Sequence, residues 1–214
     1  LISTIFWDFD GVLAESVNVK TEAFRELYLP HGEEIAEKVK QHHLENGGMS
    51  RFEKFPLYHK TFLGEELDEQ GVQKMAGLFS ELVLTKVIAA DEVNGASRFL
   101  SEHAGRYANY LISGTPHEEI KVIVGERGWA NHFNDVMGSP DSKSKWVERV
   151  FERNPTASEE CVFIGDARSD FKAAQDHKLH FVLRETEDNK DLFADFNGPR
   201  IQDLTELPKV LEQL

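Results

Sequence analysis

An α/β protein, built on a parallel sheet with a helical unit inserted near its start, is the fold class this sequence predicts. Three observations predict it. Short apolar, β-branched or aromatic runs occur at Ile2–Trp7, Ala108–Ile112, Cys161–Ile164 and Leu179–Leu183, the pattern of strands buried on both faces. Amphipathic helical patterns follow the last three, around Pro116–Arg127, Asp170–His177 and Leu204–Leu214, and such alternation implies right-handed parallel crossovers. Between the first two strands, roughly from Glu15 to Ile88, lies a stretch with no convincing strand, far longer than an ordinary crossover loop.

The first strand leads into Asp8-Phe9-Asp10-Gly11-Val12. Residues two apart in a strand share a face, so the Asp8 and Asp10 carboxylates converge where the strand runs out. Two like charges that close resist joint ionisation unless a cation lies between them or one keeps its proton. Such a pair is costly to keep for stability alone and reads as chemistry, with Phe9 between the two acids a candidate substrate contact.

In the inserted stretch, Val17, Phe24 and Leu27, and later Leu78, Leu82 and Val83, recur at helical spacing. Gly47-Gly48 and Gly64 divide it into helices, and Ala89–Gly95 is the expected return hinge. The expected boundaries are therefore a core of 1–14 and 89–214 and an insertion of 15–88. Within it, Asn46-Gly47-Gly48-Met49-Ser50-Arg51-Phe52-Glu53-Lys54 reads in two ways. Gly48, Ser50 and an inward-facing Arg51 would make an anion loop; alternatively, Ser50 caps a helix whose Arg51 and Lys54 lie on a solvated face. The charged run Glu65–Glu69 reads as a solvated helix start.

The second strand ends in Ser113-Gly114-Thr115, a small hydroxyl and a glycine whose backbone N–H groups suit an anion such as phosphate. Thr115, Pro116 and Glu118 predict a helix start, with threonine as N-cap and proline in the first position. Next, Gly138-Ser139-Pro140-Asp141-Ser142-Lys143 puts a lysine at the head of the helix carrying Trp146, Val147 and Val150, with Lys145 as the alternative. The last motif, Gly165-Asp166-Ala167-Arg168-Ser169-Asp170, adds two carboxylates four apart after a buried strand. Each has a plain reading alone, as a helix cap or a solvated charge. Together, in one order and each at the matching end of a strand, they mark a ligand site, because open α/β sheets bind ligands at that edge.

Composition narrows the classes. With 214 residues, 40% hydrophobic and 29% charged, the chain suits one sizeable core, or one core plus a smaller unit. A net charge of −14 argues against nucleic acid or an acidic membrane surface as partner. No apolar run approaches the roughly 18–20 residues of a membrane span, and no signal-peptide pattern opens the chain. Leu1 already falls within the strand pattern, so the native start is expected upstream. The single cysteine, Cys161, opens a buried strand as core packing and fits a reducing cytoplasm. Trp7 and Trp146 read as core aromatics. The 9 histidines show no zinc-like spacing; His42 and His43 are assigned to the surface, with the cleft as the alternative.

In this order the motifs resemble the haloacid dehalogenase-like superfamily of aspartate-nucleophile phosphatases, phosphomutases and related hydrolases. The insertion point, just after the first motif, resembles the helical-cap branch that contains phosphoglycolate phosphatases and β-phosphoglucomutases. The resemblance runs from Ile2 to about Leu183 and implies a Rossmann-like core with an inserted α-helical cap domain, Mg²⁺ dependence and a phosphoaspartyl intermediate. On that reading Asp8 is the nucleophile and Asp10 the acid/base, a task suited to a raised pKa. Ser113, Gly114, Thr115 and Lys143 hold the phosphoryl group. The ion sits on Asp8, the Asp10 carbonyl and Asp166, with Asp170 orienting a ligand or water. The loop at Gly48–Arg51 is similar to a specificity loop of β-phosphoglucomutases that reads lysine-glycine-x-serine-arginine, except that the lysine is missing here.

The expected activity is a Mg²⁺-dependent phosphatase acting on a small phosphorylated metabolite, sugar phosphates among the candidates, by a monomer or homodimer. The alternative is a phosphomutase returning the same intermediate to a second hydroxyl. Dehalogenation gives Asp10 and the cluster around Asp166 no evident use. A non-enzymatic phosphoacceptor would carry its aspartate after a middle strand without a helical insertion, and a degenerate binding module would have lost a motif residue.

Overall fold

The computed structural model describes residues 1–214. Six parallel strands, β1 (Thr4–Trp7), β2 (Ala108–Pro116), β3 (Asp135–Ser139), β4 (Cys161–Gly165), β5 (His180–Arg184) and β6 (Arg200–Ile201), form one sheet in the order β3-β2-β1-β4-β5-β6. The four residues of β1 are all buried, as a central strand covered on both faces requires. Alternation along it sends Ile5 and Trp7 into the larger apolar cluster and Phe6 into the smaller one on the opposite face. Trp7 sits opposite Leu111 of β2 and Ile164 of β4, so three neighbouring strands run in register and carry Asp8, Ser113 and Asp166 to one edge.

The strands expected from apolar runs are present. Two more, β3 and β6, lacked that signal because β3 is an edge strand with a half-buried start and β6 is two residues long. Flanking helices are α5 (Ala96–Glu102), α6 (His117–Glu126), α7 (Lys143–Arg153), α8 (Arg168–His177) and α9 (Leu207–Leu211). The expected N-cap at Thr115 is corrected: β2 continues through Pro116, which holds extended backbone at ψ 141°, and α6 starts one residue later. Thr115 is thereby free for other contacts. Cys161 and Trp7 are fully buried, while Trp146 is only partly so, its indole N–H donating to the Gly138 carbonyl at 2.9 Å.

Between β1 and α5 the chain forms helices joined by short turns and no strand. It forms α1 (Val17–Tyr28), α2 (Glu33–Glu45), α3 (Arg51–Tyr58) running into one π-helical turn at His59–Leu63, and α4 (Glu69–Ala89). This inserted cap packs around aromatic rings: Phe24 lies 4.2 Å from Phe79 and 5.6 Å from Phe55, centroid to centroid. Ser50 caps α3 by accepting the Phe52 N–H, and Asp68 caps α4 by accepting the Gly71 N–H. The segments leaving and re-entering the core pair with each other, Val93 N–H to the Leu13 carbonyl and Glu15 N–H to the Asp91 carbonyl, each at 2.9 Å. Arg127, beyond α6, donates to the carbonyls of Val87, Ile88 and Ala90 where α4 ends, the favourable place for a cation. No helix is long and apolar enough to cross a membrane.

Candidate active site

The carboxyl ends of the strands and the cap enclose a cavity of about 260 Å³ whose wall includes Asp8, Asp10, Gly114, Thr115 and Asp166. Asp8, at the end of β1, is 3% exposed. Its Oδ1 accepts the Phe9 N–H at 2.7 Å and lies 2.9 Å from the Lys143 ammonium. Lys143 also donates to Asp170 at 2.5 Å, and the other oxygen of Asp170 accepts the N–H groups of Asp166 and Ala167. One buried chain of charge thus links the end of β1, the head of α7 and the turn after β4. Lys145 points elsewhere, to Asp141 at 2.5 Å, and is half exposed.

Three acids crowd this point: oxygens of Asp8, Asp166 and Asp170 lie within 4.8 Å of one another. Burial, with the charge of Asp170 added, pushes the Asp8 carboxyl up to about 7 against the pull of Lys143. Burial and the charge of Asp8 likewise push Asp166 well above the usual carboxylate range. A divalent cation fits this set, because oxygen donors are what a hard ion takes and the charge repulsion is what it relieves. On this geometry Asp8 and Asp166 are the side chains that could hold such an ion directly. Asp170 spends both oxygens on Lys143 and the backbone, which suits holding the lysine and the turn in place.

Asp10 is arranged differently. Ser16 donates to one oxygen at 2.6 Å and Lys20 to the other at 2.5 Å, while Lys20 also reaches the Thr115 hydroxyl at 2.6 Å. Burial works to raise the Asp10 carboxyl, but Lys20 and these hydrogen bonds outweigh it and hold it below its ordinary value. The expectation of a raised pKa is therefore reversed, because α1 of the cap delivers a cation beside the acid. The Asp10 carboxylate is committed to that contact, leaving its main-chain carbonyl as the group it can lend to an ion.

The cap sits against the core. A Cβ built on Gly114 would lie 2.6 Å from the Gly48 carbonyl oxygen, and one on Gly48, whose φ is +76°, would lie 2.2 Å from the Ser169 hydroxyl. Gly114 has no such positive φ, so alanine there strains only the contact with the cap. Gly114→Ala is expected to lower kcat/KM about a hundredfold, the effect of displacing a closing element by about 1 Å, with little change in melting temperature. Steady-state kinetics and a thermal melt together check it.

Comparison with known proteins decides the family. A model of the haloacid dehalogenase-like hydrolases matches residues 2–178. The chain belongs to the haloacid dehalogenase-like hydrolases. Solved structures of similar fold include a β-phosphoglucomutase from Clostridium difficile, at TM-score 0.76 and 15% identity over 100% of this chain and 98% of that one. A predicted phosphoglycolate phosphatase from Haemophilus somnus 129pt superposes at TM-score 0.72 and 14% identity, covering 98% and 97%. The hydrolase YfnB from Bacillus subtilis, solved bound to magnesium and revealing interdomain movement, does so at 0.70 and 19%, covering 99% of each chain. No curated protein matches the sequence.

In this haloacid dehalogenase-like hydrolase the residues singled out by sequence are not all placed alike. Asp8, Asp10, Gly114, Thr115, Asp166 and Gly48 line the cavity, and Lys143 and Asp170 support it from behind. Ser113 is buried beside it, its hydroxyl accepting the Thr115 N–H at 3.1 Å. Phe9 presents only its backbone; its ring is in the core, 6.2 Å from Trp129. Ser50 is occupied as the cap of α3. Arg51 lines the cavity, but its guanidinium forms a two-pronged pair with Glu119 of α6, at 3.0 and 2.7 Å, and stacks on Phe79. The two readings of this segment are thus mixed, since Ser50 caps the helix while Arg51 and Lys54 are buried, not solvated. His43 is corrected from the surface to the cleft; His42, half-buried, contacts the Tyr58 hydroxyl instead.

Sequence reasoning missed Lys20 and Glu119, and named Lys54 only as part of a solvated face. A usable signal existed for the two lysines. Val17, Lys20, Thr21 and Phe24 fall at helical spacing, as do Arg51, Lys54, Phe55 and Tyr58, so each lysine stands within a stripe destined for burial.

Proposed function

We propose that this hydrolase is a Mg²⁺-dependent phosphatase that cleaves a small phosphorylated metabolite through a phosphoaspartyl intermediate. One observation carries the reading: a nearly buried aspartate at the end of the central strand, held by a backbone N–H and by Lys143, faces a cavity of metabolite size. Its second oxygen is left for attack on phosphorus, which divides a hard hydrolysis into two easier steps.

Lys143, the Gly114 N–H and the Ser113 hydroxyl, whose proton is uncommitted, are the groups to receive charge on the phosphoryl oxygens. Bound Mg²⁺ would neutralise phosphoryl charge and keep the carboxylates ionised. Asp10 serves the leaving oxygen as acid and the attacking water as base. In the arrangement described, Lys20 holds Asp10 ionised, the state that takes a proton from water, so the second step is the one this geometry favours.

Phosphate release from p-nitrophenyl phosphate is the direct test. Turnover is expected with Mg²⁺ and is expected to disappear with EDTA, returning on re-addition of the metal; activity indifferent to EDTA would overturn the mechanism. With sugar 1-phosphates, free phosphate is the expected product. An isomer formed without phosphate would replace the phosphatase reading by the phosphomutase one.

A further inference from the structure

Most cations around the cleft already have an acidic partner in the protein. Lys143 has Asp8 and Asp170, Lys20 has Asp10, Arg51 has Glu119, and Arg184 has Glu15. Lys54, on α3 of the cap, is the exception among the buried ones. It is 0% exposed, lines the cavity and forms no ion pair. Its ammonium meets only the Nδ1 atom of His43, at 2.7 Å, and the face of Phe24, 5.2 Å to the centroid.

His43 is itself buried against the cavity, its ring 4.7 Å from that of Phe24. Two nitrogens at 2.7 Å make a hydrogen bond only if one accepts, so with Lys54 charged, His43 must be neutral and accept through Nδ1. Burial, then the charge of Lys54, pushes His43 well below its ordinary pKa, in keeping with that assignment. Lys54 then has further N–H donors and no second acceptor in the protein. A buried ammonium without a counter-ion is expensive, and a methionine would fill the same space without that cost. The missing counter-ion is the observation that points to a ligand.

We propose that Lys54, positioned by His43, is a specificity-determining residue that receives a second anionic oxygen group, carboxylate or phosphate, on the leaving-group side of the ester. The inference rests on the phosphatase reading. It also assigns the anion contact to a residue other than Arg51, whose charge is matched by Glu119. Burial, with Lys20 adding to it, pushes the Lys54 ammonium down to about 7, while Asp10 and Glu53 pull the other way; an entering anion adds to their side and favours the charged form.

The test compares matched esters that differ only in the second group. These are 3-phosphoglycerate against glycerol 3-phosphate, and propane-1,3-diol bisphosphate against its monophosphate, with p-nitrophenyl phosphate as the reference. The wild type is expected to prefer the anionic member of one pair by roughly 10- to 100-fold in kcat/KM, the worth of a hydrogen bond to a charged group. Preference in the first pair assigns a carboxylate, and in the second a phosphate. In Lys54→Met, and in Lys54→Gln, which keeps a donor for His43 but no charge, that ratio is expected to fall toward one, mainly through KM. A wild type that hydrolyses the esters without preference, or folded variants that keep it, would overturn the inference alone. A wild type that hydrolyses none of them, p-nitrophenyl phosphate included, overturns the phosphatase reading instead.

Discussion

Replacing Asp8 by asparagine is expected to remove turnover of phosphate esters by at least about 10⁴-fold, as loss of a nucleophile does elsewhere, while making the metal-free protein more stable at neutral pH. The amide keeps the size of the side chain and an oxygen to accept the Phe9 N–H, and Lys143 retains Asp170, so no charge is orphaned. What disappears is a carboxyl that burial has pushed from 3.8 up to about 7. Between those values the folded chain holds a proton that the unfolded chain has released. The stability this group contributes is therefore full below about pH 4, falls as pH rises toward 7 and is lost above it. An amide in its place has no such dependence, so the gain of the variant is small at pH 4 and largest above pH 7. Thermal melts across that range in EDTA check it; a variant no more stable than the wild type at pH 8 would show that Lys143 fully compensates the buried charge.

Lys143→Met is the second large effect, and it runs the other way. The lysine is the common partner of Asp8 and Asp170, both nearly or fully buried. Removing it leaves their charges facing each other and Asp166 within 4.8 Å. Breaking a buried pair from one side costs about 3–5 kcal/mol, and here the acids can escape only by taking up protons. The loss of stability, measured by urea unfolding in EDTA, is expected to be greater at pH 8 than at pH 5.5, and turnover is expected to fall with it. Equal losses at both pH values would mean that packing of the lysine stem, not its charge, stabilises the site.

The frame of the molecule was legible because it follows from local rules. Apolar runs mark strands buried on both faces, and the order of the four motifs along the chain matches the sheet edge where they meet. Strand β3 was not legible, because an edge strand needs no continuous apolar run, and Thr115 was misread because its capping signature also suits the extended end of a long strand. The candidate site was legible on its core side, where each residue follows a strand. The cap side was not. Lys20 beside Asp10, Lys54 beside His43 and Arg51 beside Glu119 are pairings between elements distant in sequence, and a lysine inside an apolar stripe gives no hint of the partner that will meet it. Reading that stripe position as buried would have found both lysines; only the folded chain shows that one is paired and the other is not.

How the enclosed cavity fills follows from the way the cap is hung. The cap packs as one body on shared aromatic rings, and the paired segments at Leu13–Glu15 and Asp91–Val93, clamped by Arg127, tie it to the core at a single pivot. Lys20–Asp10, Arg51–Glu119 and Gly47–Ser169 all span the same gap. Rotation about one pivot would lengthen all of them together. Opening is then expected to be cooperative, with Lys20–Thr115 and Ser80–Glu119 giving way along with the others, so that ligand exchange is set by how often the whole set breaks at once.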